Sequence, residues 1–258
     1  DGNTLLYNAD GKIYRYEIDK DHVEQVDTGF CVQCNNDHVP SPDNQLLAVS
    51  CMPPELTDGT YESHIYVLPM TGGEPKDLTG PGLSYLHGWS PDGKELAYCA
   101  FRKKPEEETM RIEICTIPSD GGEETCLTDG KGYNDGPEYS PDGKHIWFNS
   151  TRSGLMQVWR MNRDGSGLTR MTDSDANNWF GHVSPDGKHV IYLTFAKGEL
   201  EPNEHLPNMH VSLGMMDYDG QNKKKLLDLF GGQGSINVNS WAPASRRIAY
   251  VKYVLHHK

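Results

Sequence analysis

Short apolar runs recur along the chain, each fenced by Pro, Asp and Gly: Leu46-Leu-Ala-Val-Ser50, Glu95-Leu-Ala-Tyr-Cys-Ala100, His145-Ile-Trp-Phe-Asn149 and His189-Val-Ile-Tyr-Leu-Thr194. They are too short for buried helices and rich in aromatic and branched residues, which predicts buried strands. The same turn precedes each of them: Ser41-Pro42-Asp43-Asn44, Ser90-Pro91-Asp92-Gly93, Ser140-Pro141-Asp142-Gly143 and Ser184-Pro185-Asp186-Gly187. A worn copy stands at Ala242-Pro243-Ala244-Ser245, and Asp1-Gly2-Asn3 reads as the tail of another. Proline presets φ, aspartate bonds back to the backbone, and glycine or asparagine accepts a positive φ, so each copy is a tight turn.

A second turn follows at Thr71-Gly72-Gly73, Asp120-Gly121-Gly122, Asp164-Gly165 and Asp219-Gly220, between a strand such as Gln157-Val-Trp-Arg-Met161 and a short final one. Adding the strand before each Ser-Pro-Asp gives four antiparallel strands in roughly 40 to 50 residues, the period of a propeller blade. The expectation is an all-β chain, a six-bladed β-propeller of four-stranded antiparallel blades whose first and last blades are incomplete. No convincing helix is predicted. Residues 1–29 supply three strands, a long loop separates strands at 52–63, a charged loop runs from Arg102 to Thr109, and the fifth unit inserts Ala196 to His210 between its middle strands.

These motifs, with Ile65-Tyr66-Val67-Leu68-Pro69 and the Asp-Gly-Gly hairpin, resemble the WD-like repeat of the TolB C-terminal domain and its relatives. The resemblance covers nearly the whole chain and implies one TolB-like β-propeller domain over 1–258. It also implies ring closure by N- and C-terminal strands sharing a blade, and a binding role in a periplasmic or extracytoplasmic setting, a cytoplasmic one being left open. The same repeat builds peptidase-associated propellers and metal-dependent oligogalacturonate lyases, so fold alone does not fix function.

Charge narrows the partners. The 258 residues carry a formal net charge of -13, against a nucleic-acid or anionic-membrane partner. The basic cluster Lys223-Lys224-Lys225 follows a hairpin turn and reads as a solvated outer strand. Mean hydropathy is -0.67 and no apolar run reaches membrane-spanning length, so no membrane insertion is expected. Cys115 and Cys126 stand symmetrically about the Asp120-Gly121 turn, as cross-strand neighbours able to form a disulfide or to remain two thiols. Cys31-Val-Gln-Cys34 with His38 has half the look of a zinc site, but no second pair completes it, and Cys51 and Cys99 read as core residues.

The topology gathers candidate chemistry on one rim, where the connections entering the innermost strands meet the loops between second and third strands. Asn36, Asp37, His38, His87, Asp135, Glu138, His182, His205, His210, Gln233 and Asn237 are the predicted ligand-binding residues, with Asn239 beside them. His38, His87, Glu138 and His182 are candidate ligands for one divalent metal in the central channel, the cofactor being otherwise unknown. Register argues against all four facing the channel: His38 and His87 stand three residues before the turn serine, Glu138 and His182 two, and alternate strand positions point to opposite sides unless bulges intervene. Trp89, Tyr139 and Trp241 precede a turn serine or its equivalent and read as inter-blade packing. Trp179 and Phe180 are core residues or a stacking surface for a sugar.

Two functions compete. One is a non-catalytic propeller offering this rim to a protein, peptide or glycan, consistent with the lack of any serine-nucleophile elbow or metalloprotease motif. The alternative is a metal-dependent enzyme acting on acidic oligosaccharides, similar to oligogalacturonate lyase, with Arg152 or His210 as distant candidates for base or substrate-carboxylate contact.

Overall fold

A computed structural model describes residues 2–53, 61–103, 106 and 108–255. Asp1 and parts of the loops expected at 52–63 and after Arg102 lie outside the described residues. The chain divides into two compact units, Asp1–Gly130 and Lys131–Lys258.

The first unit holds three antiparallel sheets, each built of strands consecutive in the chain. β1 (Thr4–Ala9), β2 (Lys12–Glu17) and β3 (His22–Gln25) form the first. β4 (Cys34–Pro40), β5 (Leu46–Cys51), β6 (His64–Pro69) and β7 (Lys76–Asp77) form the second, and β8 (Leu83–Trp89), β9 (Glu95–Arg102), β10 (Arg111–Pro118) and β11 (Thr125–Cys126) the third. The second unit holds two more: β12 (Asn134–Tyr139), β13 (His145–Ser153), β14 (Leu155–Asn162) and β15 (Thr169–Arg170), then β16 (Asn177–Val183), β17 (His189–Phe195), β18 (Pro207–Asp217) and β19 (Lys224–Gly232). Regular helix among the described residues amounts to two 3₁₀ turns, Ile18–Lys20 and Gln233–Ser235.

The expected six blades are therefore corrected to five: four sheets of four strands and one of three. The sixth fails at residues 239–253, where only one isolated bridge, Trp241 to Ile248, forms. The reason lies in the worn turn. In the four intact copies the serine hydroxyl donates to the aspartate at 2.6 to 2.7 Å and accepts the amide that opens the next strand, as from Leu46, Glu95, His145 and His189. At 242–245 alanines replace both the serine and the aspartate, so the clasp is missing although the Ala242–Arg247 backbone bond still closes.

The second strand of each four-stranded sheet is apolar on both faces because both are covered, and these strands supply the cores. Leu47, Val49, Cys31, Cys34, Cys51 and Tyr66 pack beneath Ile13 between the first two sheets, and Leu96, Tyr98 and Ala100 pack against Ile65 and Leu86 between the next two. In the second unit Trp179, Leu193, Phe195 and Leu213 form one cluster, Trp147, Val158, Val190 and Met216 the other. Indoles add further ties: Trp89 Nε1–H on β8 donates to the Val39 carbonyl of β4 at 3.0 Å, joining adjacent sheets, and Trp241 Nε1–H donates to the His182 carbonyl of β16 at 3.2 Å, fastening the segment after the last sheet. Cys115 and Cys126, paired across β10 and β11, form a disulfide.

Candidate functional site

The inner strand of each four-stranded sheet carries an irregularity where a predicted site residue sits. Register shifts fall between Cys34 and His38 in β4, Leu86 and Gly88 in β8, Asp135 and Glu138 in β12, and Trp179 and His182 in β16. A bulge re-aims the side chains that follow it, so strict alternation does not decide which way these residues face. In β12 the bulge is built on Gly136 with φ 62°, and in β16 on Phe180 with φ 53°, an uncommon conformation for a bulky residue. The Phe180 amide is held there by Asn149 Oδ1 at 2.8 Å.

In the second unit these bulges bring Glu138 and His182 together. His182 Nδ1 meets Glu138 Oε2 at 2.6 Å, and His182 Nε2–H donates to the Ile236 carbonyl at 2.5 Å. Glu138 Oε1 accepts from the Val183 amide at 3.1 Å and from Asn239 Nδ2 at 2.7 Å. The Asn239 amide also donates to the Val183 carbonyl at 3.0 Å, and its Oδ1 accepts from the Trp241 amide at 3.0 Å. Both His182 nitrogens and both Glu138 oxygens are thus engaged by the protein, leaving no ring nitrogen for a metal. This donor set does not fit a metal ion without dismantling the contact to Ile236 or the ion pair itself.

A second polar group lies at the opening end of β12 and β16. His205, from the insert before β18, places Nε2 3.7 Å from Asp135 Oδ2, with side-chain exposures of 19% and 9%. Its ring stands edge-on to Trp179 at 4.5 Å and to Phe180 at 5.9 Å. Burial opposes charge on His205, but hydrogen bonds and attraction from Asp135, with a bond from Gln233, outweigh it and raise its pKa above the ordinary 6.5. Asp135 Oδ1 accepts from the Gly136 amide at 2.8 Å, which ties the pair to the bulge. Gln233 opens the 3₁₀ turn directly after Gly232, whose φ is 141°. Trp179 and Phe180 are 0% and 1% exposed, so they back His205 rather than offer a face to a sugar. Asn237 is buried on the same connection.

The other predicted residues are placed elsewhere. His210, on β18, stacks edge-on against Phe230 at 5.4 Å and borders a cavity of about 450 Å³ with Thr194, Lys225 and Asp228. Arg152 bonds Ser150 Oγ and Asn134 Oδ1 and lies over the rings of Phe148 and Trp159. In the first unit, Asn36, Asp37 and His38 share β4. Asn8 Nδ2–H donates to Asn36 Oδ1 at 3.3 Å, and the Asp37 amide to Asn35 Oδ1 at 2.8 Å. His38 Nδ1 bonds the Asn36 carbonyl at 2.9 Å, and burial pushes its pKa down. His87 is buried on β8.

Two arrangements escaped the sequence reading. His64 is buried between two carboxylates, Nδ1 to Asp77 Oδ2 at 2.7 Å and Nε2 to Glu62 Oε2 at 2.9 Å. A histidine flanked by Glu62 two residues earlier was the available signal; Asp77 is brought in only by β6–β7 pairing. Among the described residues, one grouping of three ligand types lies within reach of a single ion, Cys115, Glu124 and Cys126, and both its sulfurs are in the disulfide. No helix among the described residues is long and apolar enough to cross a membrane.

Comparison with known proteins now places the chain. A solved structure from Agrobacterium tumefaciens carrying a provisional TolB name is 44% identical, covers 99% of this chain and 88% of its own, and superposes with a TM-score of 0.90. An uncharacterized protein of Agrobacterium fabrum is 45% identical over 254 residues, 98% of this chain and 82% of the relative. An oligogalacturonate lyase in complex with manganese shares the fold alone, at 15% identity and a TM-score of 0.58 over 89% of this chain and 63% of the lyase. The profile of the TolB beta propeller domain matches residues 59–212, the stretch that holds three of the four intact Ser-Pro-Asp clasps and the Glu138–His182 pair, so the chain belongs to that family.

Proposed function

We propose that the second unit binds a polar segment of a partner protein or peptide without chemically transforming it. The observation that carries this is a division of labour between two neighbouring polar groups. Glu138, His182 and Asn239 spend their polar atoms on one another and on backbone, which makes them a rigid floor. His205, on the insert before β18 and 19% exposed, stands at the opening end of β12 beside Asp135 and beside Gln233 of the 3₁₀ turn. A charged imidazole there offers a donor to an acidic or carbonyl-bearing segment, while Asp135 and Gln233 fix its orientation.

The enzyme reading draws on the fold likeness to the manganese-bound lyase. A metal at Glu138 and His182 would have to displace contacts the protein already makes, and this favours binding over lyase chemistry. One experiment separates the two. Partner capture by wild type and by His205→Ala is measured beside oligogalacturonate cleavage with added manganese. Binding that weakens about tenfold in the variant at unchanged melting temperature supports the proposal. Manganese-dependent formation of unsaturated products, abolished in His182→Ala, overturns it.

A further inference from the structure

Cys34 and Cys51 are directly opposed across β4 and β5. The Met52 amide bonds the Gln33 carbonyl at 3.3 Å, which identifies the cysteines as a non-hydrogen-bonded pair, the register in which opposed side chains come closest. Cys115 and Cys126 stand in the same register, since the Leu127 amide bonds the Ile114 carbonyl at 2.8 Å, and they are joined as a disulfide. The chain therefore contains two cross-strand cysteine pairs of one geometry, one bridged and one free.

The free pair has surroundings that the bridged pair lacks. Cys34 and Cys51 border a cavity of about 410 Å³ lined also by Asp10, Gln33, Asn35 and Ser63. Asp10 and Gln33 at its edge are exposed, so it has a solvent-facing lip, and its volume falls within the range of small-molecule sites. Ser63 is 2% exposed, and among the described residues its hydroxyl has no hydrogen-bond partner, an uncompensated polar group on the cavity wall. A third thiol, Cys31, is fully buried behind the pair. The Cys34 thiol donates to the Cys31 carbonyl and the Cys51 thiol to the Met52 carbonyl, each at 3.4 Å, and the closeness of the three sulfurs lowers the pKa of Cys51 while it raises those of Cys31 and Cys34.

We propose that Cys34 and Cys51 are a thiol–disulfide exchange site that accepts small polar disulfides in this cavity. The Cys51 sulfur attacks one sulfur of the disulfide; a bond forms between them, the old sulfur–sulfur bond breaks, and one half leaves as a thiol with the Cys51 proton. The Cys34 sulfur then attacks Cys51, breaks the mixed disulfide and closes the Cys34–Cys51 bridge, while its proton leaves with the second thiol. Two electrons pass from the cysteine pair to the small disulfide, which is reduced to two thiols. Ser63 supplies a hydrogen bond to the polar arm of the incoming molecule.

The test incubates the folded full chain with 2-hydroxyethyl disulfide, blocks remaining thiols with N-ethylmaleimide under acid quench, and maps peptides by mass spectrometry. Wild type is expected to yield a Cys34–Cys51 bridged peptide. Cys34→Ser should accumulate the mixed disulfide on Cys51, about tenfold faster than any adduct on Cys99. Cys51→Ser should lose both products. Adducts distributed equally over Cys31, Cys51 and Cys99, or all four thiols of the wild type recovered with the blocking group, would overturn the proposal. Because the wild-type and Cys34→Ser results decide by themselves, misfolding of Cys51→Ser does not obscure the outcome.

Discussion

Glu138 and His182, forty-four residues apart, meet at 2.6 Å with side-chain exposures of 11% and 6%, each held by further bonds to backbone and Asn239. Removing one partner of such a pair strands the other in a poorly solvated place, which costs more than the pair itself contributes. Glu138→Gln puts an amide donor where Oε1 faces two donors or Oε2 faces the ring. We expect it, and His182→Ala, to lose about 3 kcal/mol in urea unfolding. A loss below about 1 kcal/mol would assign the pair to ligand contact rather than to architecture.

His205 gives a pH signature. Its folded pKa is raised above 6.5, so the sign runs as for any histidine gaining a partner: the contribution is complete below the unfolded value and fades as pH rises through the folded one. Proton NMR should place the His205 ring midpoint above the ordinary value in wild type. In Asp135→Asn the midpoint should fall, because burial then acts without the carboxylate, and the stability difference between the two proteins should shrink toward alkaline pH. An unmoved midpoint would remove Asp135 as the cause.

The turn clasp is testable at Asp142, which accepts from Ser140 Oγ at 2.7 Å and from the Lys144 amide at 3.2 Å. These bonds, the serine's foremost, hold its pKa below the usual 3.8. Because the folded value is depressed, the stability it lends is present above the unfolded pKa and disappears as pH falls through the folded one. Asp142→Ala should cost about 1 kcal/mol at neutral pH, and the cost should shrink as pH falls through the folded value and the charged form's share is lost.

The bridge between Cys115 and Cys126 spans 11 residues. Chain-entropy reasoning assigns such a loop about 3 kcal/mol, so mild reduction should lower the melting temperature by several degrees. Cys126→Ser should melt like the reduced wild type and be insensitive to reductant.

The repeat was legible because one hydrogen-bonded device recurs in four copies, each with Ser, Pro and Asp in fixed order. The blade count was not, because counting turns assumes that each turn launches a strand, and Ala242-Pro243-Ala244-Ser245 closes a turn with nothing to clasp. At the site, the insert carrying His205 meets the opening ends of β12 and β16. What sequence could not supply was the partner of each group. Ile236 meets His182 through its carbonyl, a feature every residue has, and the bulge at Phe180 puts a bulky residue at φ 53° where no residue-type rule would place one. Cys51 looked like filler because its pairing with Cys34 depends on the irregular register of β4.

The connection behind His205 rests on glycine for a specific reason, and it yields the last prediction. At Gly232, φ is 141°, and a Cβ there would lie 2.3 Å from the Leu206 carbonyl oxygen and 2.7 Å from Pro207 Cα. Both obstacles are backbone, so no side-chain rotation relieves them. Leu206 directly follows His205, and Gln233, which bonds His205, directly follows Gly232. Gly232→Ala must therefore part the insert from the 3₁₀ turn or unfold the end of β19, at a cost of about 3 kcal/mol. If the first route is taken, His205 loses Gln233 and its ring midpoint drops while the β16–β17 amides keep their hydrogen-exchange protection. If the second is taken, protection falls along β18–β19 as well. A variant with wild-type stability and an unchanged His205 midpoint would show that the close approach of these two segments does not position the site.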